Sequence, residues 1–244
     1  MALILGDGRE VEPADLRAAF DRDGALVIEG FYTAAELVAV NAALDELLAA
    51  PPATIDQLRP GHWQQFETNP QQLGEQAAQH PAFLALGAEA RLAAVTAAVV
   101  GDGYSASSLL VMVTPHGTGQ AWHQDTPHDL GPLDFNVNRL IYPRDVDPRS
   151  GQVVFVPGSH RLGRIPPGDN QGPIPGEQCL APAAGTLVLL CSRTFHRVTV
   201  NETHAPRVSI NYRVRPAGAP AQMDAIGVFR NAAYDFRTQQ VIDR

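Results

Sequence analysis

Along the first hundred residues apolar positions recur at helical spacing. Pro13 stands at a helix-start position, and the periodic segment 12–20 runs on until Asp23-Gly24 breaks it. The continuous apolar run 25–28 predicts a short strand. Thr33 then reads as an N-cap, with Glu36 three residues on completing a capping box. Leu37, Val40, Leu44, Leu47 and Leu48 follow at helical spacing until Pro51-Pro52 stops the run. A stretch rich in Gln, Pro and His, 53–81, predicts a loop. A second helix is predicted over 82–100, ending at Gly101.

Beyond Gly103 the period changes. Short β-like runs at 109–114, 136–142, 153–156, 186–191, 196–200 and 207–214 alternate with Gly and Pro punctuation. In the last run Val208, Ile210 and Tyr212 fall on one face and Arg207, Ser209 and Asn211 on the other. Many short strands with Pro/Gly connections predict a β-sandwich or jelly roll, with the early helices packed outside. No repeat, low-complexity tract or linker divides the chain. One domain is expected: a helical part at about 1–103, a β core at about 104–216 and a tail at 217–244.

Composition narrows the function. Hydrophobic residues make up 45% of the chain and charged residues 18%, enough for a real core. A net charge of −8 argues against nucleic acid or an anionic membrane as the principal partner. All 18 basic residues are arginine, so no Schiff-base lysine is available. Two cysteines, Cys179 and Cys191, cannot build a disulfide framework or a cysteine zinc site. Cys191 closes an apolar run and reads as a small buried hydrophobe. The segment 1–7 lacks the basic start and long apolar region of a signal peptide, and no apolar stretch reaches spanning length. The expected location is the cytoplasm.

The chemistry centres on Trp122-His123-Gln124-Asp125. On an extended segment His123 and Asp125 share a face, so both can turn into a barrel interior. An imidazole and a carboxylate there supply two of the three ligands of a facial iron(II) site. A distant strand must supply the third. His196 opens the run His196-Arg197-Val198-Thr199-Val200 and is the choice, with His204 in the loop Asn201-Glu202-Thr203-His204 its competitor. Three protein ligands leave positions for a bidentate keto acid and dioxygen. Arg207, followed by Ser209 on the same face, is suited to clamp the far carboxylate of 2-oxoglutarate.

The order His123-Gln124-Asp125, then Ser150-Gly151-Gln152-Val153-Val154-Phe155-Val156-Pro157-Gly158-Ser159-His160-Arg161, then His196 and Arg207, resembles the phytanoyl-CoA dioxygenase family. The early segment Phe20-Asp21-Arg22-Asp23-Gly24-Ala25-Leu26-Val27-Ile28-Glu29-Gly30-Phe31 is similar to that family's N-terminal signature. The resemblance covers about 16–215. It implies a double-stranded β-helix of the jelly-roll, cupin-like kind, with iron(II), 2-oxoglutarate and dioxygen as the reacting set. Residue by residue it implies His123, Asp125 and His196 as metal ligands and Arg207 as the partner of the far carboxylate. The implied outcome is oxidation of a C–H position of a small organic molecule with release of succinate and CO₂. Hydroxylation is the default, with desaturation, epimerisation and cyclisation open to the same chemistry, and bacterial specialised metabolism a fitting setting.

The chain departs from the family at several points. Val198 stands where a small or hydroxylated residue is common, Leu140 where an aromatic is common, and a co-substrate lysine is absent. Gln124, Asn138 and Thr114 are the candidates for the near-carboxylate contacts. Related halogenases replace the carboxylate ligand to admit chloride; Asp125 argues against that reaction. Among other histidines, His160 reads as part of a turn, and His62 and His80 as exposed. His116 and His128 are candidates for the substrate mouth. Trp122 reads as core, and Thr126, Phe135, Arg193 and Arg197 are near the site by sequence alone. Two other classes compete: a cupin-type metal enzyme using no keto acid, which would need no Arg207 clamp, and an inactive binding module. Oligomeric state is not legible.

Overall fold

Two antiparallel sheets face one another in the computed structural model, which describes residues 3–49, 76–126, 131–165, 169, 171–224, 228–229 and 241–242. A two-stranded ribbon, β1 (Leu3–Ile4) and β2 (Glu10–Val11), leads into helix α1 (Pro13–Asp23) and strand β3 (Ala25–Ile28). Helices α2 (Ala34–Ala49), α3 (Pro81–Gly87) and α4 (Ala90–Val100) follow. Next come β4 (Ser105–Thr114), β5 (Gln120–His123), β6 (Val137–Ile141), β7 (Val153–Phe155), β8 (Gln178–Leu180), β9 (Leu187–Cys191), β10 (His196–Val198) and β11 (Arg207–Arg215). A parallel pair, β12 (Val228–Phe229) and β13 (Val241–Ile242), closes the chain.

The larger sheet has the order β3-β9-β6-β11-β4 and the smaller one β5-β10-β7-β8. From β4 to β11 the chain therefore crosses from sheet to sheet at every step except β7 to β8, as in a jelly roll. On β11 one face is apolar: Val208, Ile210, Tyr212 and Val214 join Val111, Val113, Ile141, Leu187 and Leu189 in the main core. Phe20, Leu37, Leu44, Phe83, Leu92 and Val95 cover that face from the helices. Each such side chain contributes roughly 1.5–3 kcal/mol on burial, so the helices are held on the outside of the larger sheet by apolar area. The other face of the sheet looks toward the smaller one. Leu140 and Val188 meet Val153 and Val198 across the gap, while the polar positions His123, Asn138, His196, Arg207, Ser209, Asn211 and Arg213 are also buried.

Local chemistry explains most boundaries. Gly24 adopts φ +69 and its N–H closes α1 on Phe20 O. The capping box forms: Thr33 N and Oγ1 donate to Glu36 Oε2 at 2.7 and 2.8 Å, and Glu36 N donates back to Thr33 Oγ1 at 3.3 Å. Where α2 stops relative to Pro51-Pro52, and the 53–75 part of the expected loop, lie outside the described residues, as does His62.

Several expectations need correction. The single helix expected over 82–100 is two helices bent by 44°. Glu89 starts α4, its Oε2 accepting from Leu92 N at 2.9 Å. Strand β4 starts earlier than expected because Ser105 and Ala106 find ladder partners in Arg215 and Val214. β8, with polar Gln178 and Cys179 on an edge, gave no apolar pattern to detect. No single helix among the described residues is long and apolar enough to cross a membrane.

Candidate active site

Strand pairing brings the two histidines together. β5 ends at His123 and β10 begins at His196, and these residues are direct partners across the strands. Their ring centroids lie 4.1 Å apart. His123 Nδ1 donates to Ala121 O at 2.7 Å, and His196 Nδ1 to Thr194 O at 2.8 Å. A carbonyl only accepts, so each Nδ1 carries a proton and Nε2 is the nitrogen turned toward the cluster. Both Nε2 atoms face one place: Asp125 Oδ1 lies 3.6 Å from His123 Nε2 and 3.9 Å from His196 Nε2. The three donor atoms lie within 4.8 Å of one another and all three residues are buried.

The electrostatics favour a cation between them. Burial, reinforced by repulsion from His196, lowers His123 to about 3, so its imidazole is neutral. Burial pushes the Asp125 carboxyl up, but Arg213, His196, His123 and Asn138 more than offset it and hold the group below the usual carboxylate range. Two imidazoles, each with its Nδ1 hydrogen-bonded away from the cluster, and an ionised carboxylate converge from one side; that is the donor set of an open facial iron(II) site. The residues present thus fit the metal that the donor chemistry implies.

A second layer fixes the carboxylate. Asp125 Oδ2 accepts from Asn138 Nδ2 at 2.7 Å and from Arg213 Nη2 at 3.1 Å. Asn138 Oδ1 in turn accepts from Asn211 Nδ2 at 2.8 Å and Arg213 Nε at 3.0 Å. Oδ2 is fully engaged, which leaves Oδ1 to face the imidazoles. Sequence reasoning missed Arg213, although the signal was present: it continues the Arg207, Ser209, Asn211 face of β11 by one more step of two.

Arg207, 6% exposed, lies farther along that face. Its Nη2 donates to Thr114 Oγ1 at 2.9 Å and its Nη1 to Ser209 Oγ at 3.3 Å. Arg207 and Thr114 are partners across β11 and β4. Thr114 therefore belongs to the guanidinium's end of the interior. The Asn138 amide is committed to Asp125, Asn211 and Arg213. Gln124 turns away from the cluster altogether. Its Nε2 donates to Gly163 O and Arg193 O at 3.0 and 2.8 Å, and its Oε1 accepts from Ile165 N at 3.0 Å.

The remaining candidates sort clearly. His204 is exposed and stacks on His116, centroids 5.2 Å apart, so neither joins the cluster. His160 sits in the turn Ser159–Arg161, packed against Gly24. His80 caps α3 by accepting from Ala82 N, and His128 lies outside the described residues. Trp122 is fully buried, with Nε1 donating to Gly172 O at 2.7 Å. Arg197 lies over the Trp122 ring and pairs with Glu177 at 3.1 Å, and Arg193 lies over Phe135 and donates to Asp134 O. Both arginines are structural as placed. Thr126 is buried beside the cluster.

Comparison with known proteins agrees with this architecture. A family model described as Phytanoyl-CoA dioxygenase (PhyH) matches residues 20–209. The ectoine dioxygenase of Sphingopyxis alaskensis is 29% identical over 227 residues, covering 79% of this chain and 72% of that protein. Among solved structures, the epimerase SnoN in complex with Fe3+, alpha ketoglutarate and nogalamycin RO superposes with a TM-score of 0.65 at 23% identity, covering 86% of this chain and 88% of that one. HygX from Streptomyces hygroscopicus, with nickel, 2-oxoglutarate and hygromycin B bound, gives a TM-score of 0.65 at 19% identity, covering 84% and 87%. At these identities the structural likeness shows a shared fold.

Proposed function

The chain belongs to the phytanoyl-CoA dioxygenase family, iron(II)- and 2-oxoglutarate-dependent oxygenases, and from that premise we propose that it hydroxylates a C–H position of a small organic molecule. In this reading His123, Asp125 and His196 hold iron(II) and Arg207 holds the far carboxylate of 2-oxoglutarate. The observation that carries it is the convergence of two proton-fixed imidazoles on one carboxylate oxygen, with a buried guanidinium on the same lining. Iron(II) with bound 2-oxoglutarate supplies the oxidising chemistry, consuming dioxygen and releasing succinate and CO₂.

The protein's own contribution is positioning. Ala121 O and Thr194 O each hold an Nδ1–H, so both rings are oriented with Nε2 toward the metal position. Arg213 and Asn138 keep Asp125 ionised and hold one of its oxygens aside. Arg207, held by Thr114 and Ser209, presents a fixed fork to a carboxylate. The apolar wall of Leu140, Val153, Val188 and Val198 excludes water from the space between the sheets.

A small-molecule substrate is supported by the company the chain keeps: a relative named for ectoine, and structures holding nogalamycin RO or hygromycin B. Hydroxylation is the default outcome. Epimerisation and ring formation stay within the same proposal, since one structural relative is an epimerase and another a carbocyclase. We read the chain as one oxygenase domain working in the cytoplasm in bacterial specialised metabolism, with dioxygen as the oxidant. Its two free cysteines, one exposed and one buried, suit a reducing compartment. The test is succinate release from 2-oxoglutarate, with iron(II) and air, across a panel of small polar metabolites. A substrate should raise succinate well above the uncoupled rate and gain one oxygen atom by mass. Succinate release insensitive to His196→Ala would refute the assignment.

A further inference from the structure

We propose that Tyr142 is a further donor to the far carboxylate of 2-oxoglutarate, completing with Arg207 the pocket that selects a dicarboxylic co-substrate. The inference rests on the proposed function and extends it to a residue for which sequence gave no signal.

Tyr142 follows β6 directly, on the side of that strand shared by Asn138 and Leu140. Its backbone is fixed at both ends: N donates to Thr186 O at 3.0 Å and O accepts from Gly185 N at 2.8 Å. Ile141 pairs with Ile210 across β6 and β11, so the next step of the register sets Tyr142 opposite Ser209, the hydroxyl that contacts Arg207. The side chain is 0% exposed and packs with Leu140, Val146, Val153, Val188 and Val198, none of whose side chains can accept a hydrogen bond from it. Among the described residues its hydroxyl has no hydrogen-bond partner. A buried phenol normally finds one.

The charge environment says what the missing partner is. Burial raises the Tyr142 phenol above its ordinary range and Arg207, the charged group that acts on it, pulls the other way; the net is a protonated donor. A neutral O–H packed between the sheets, opposite the Ser209 that the Arg207 guanidinium contacts, has one complementary chemistry: an anion with more than one acceptor oxygen. A carboxylate end satisfies the phenol and the guanidinium together. An occupant lacking that end leaves the phenol as it stands in this structure.

The test is calorimetric titration of Ni(II)-loaded protein, without oxygen, using two 2-oxo acids. One is 2-oxoglutarate and the other 2-oxobutyrate, which has no far carboxylate. Tyr142→Phe should bind 2-oxoglutarate about tenfold or more weakly, because a hydrogen bond to a charged group is lost. Its affinity for 2-oxobutyrate should stay unchanged. Its ligand-free melting temperature should stay level or rise, since an unpartnered hydroxyl has been removed. Unchanged 2-oxoglutarate binding overturns the proposal, as does equal weakening toward both acids. If Arg207→Ala weakens 2-oxoglutarate binding and Tyr142→Phe does not, Tyr142 is excluded and the Arg207 reading stands. If the unsubstituted protein binds no 2-oxoglutarate at all, both fall.

Discussion

Asp125 is a buried anion whose two oxygens do different work. Oδ2 is taken by Asn138 and Arg213, and Oδ1 faces His123 and His196. Removing one partner of a buried pair leaves the other uncompensated, at a cost of about 3–5 kcal/mol. Arg213→Met should therefore lower stability by that order in chemical denaturation. It should also weaken metal binding by about 10–100-fold, read by titration with Ni(II), because the ligand loses its orientation. Unchanged metal affinity would show that Arg213 is a packing residue only. Protonation gives a second handle. In the metal-free protein His123 is held at about 3, well below its ordinary value. From pH 6.5 downward the unfolded chain takes up a proton that the folded chain refuses. Stability is thus full above about pH 6.5 and falls by about 1.4 kcal/mol per pH unit toward pH 3. His123→Gln should make that decline shallower by about one proton; an identical slope would contradict the burial argument. At this scale His123, Asp125, His196 and Arg207 were legible because alternation and motif order mark them. The present partners of Gln124, Asn138 and Thr114 were not legible, because sequence carries no account of which amide or hydroxyl is already spent. Arg213 lay in plain view on the Arg207 face, but nothing in the sequence said that its partner would be a ligand.

The elements that place these residues have their own tests. Thr33→Ala removes half of a capping box far from the cluster, so it should cost about 1 kcal/mol of stability and leave succinate release unchanged. Gly185 is different. It stands at φ +87, and a Cβ there would meet Tyr32 O at 2.1 Å. That contact is backbone on backbone and cannot yield cheaply. Gly185→Ala should therefore cost well over 1 kcal/mol by thermal denaturation, and a loss no greater than that of Thr33→Ala would contradict it. Helix starts and the strands β3, β9 and β11 were legible because their apolar positions keep a clean period. The break between α3 and α4 was not. Gly87 packs so close to the Tyr212 ring that a Cβ would lie 2.5 Å from Cε1, a tertiary contact that no local pattern announces.

Across the whole molecule, one sheet carries both loads. The outward face of β11 anchors the helices through Val208, Ile210 and Tyr212, while its inward face presents Arg207, Ser209, Asn211 and Arg213. The jelly-roll architecture with helices outside was readable from many short strands after a helical start. Which strands pair was not, since β5 meets β10 and β6 meets β9 only through long-range closure. Ligands that bind only this closed arrangement must stabilise it, by about 2.7 kcal/mol at a hundred times the dissociation constant. Ni(II) should raise the melting temperature, 2-oxoglutarate should raise it further only when metal is present, and His196→Ala should abolish both shifts. The most direct test of the account is the visible spectrum of anaerobic protein given iron(II) and 2-oxoglutarate. The account predicts a weak charge-transfer band of the chelate, absent in His123→Ala and diminished in Arg207→Ala. Bound iron with no such band would contradict it and give first place to a metal enzyme that uses no keto acid.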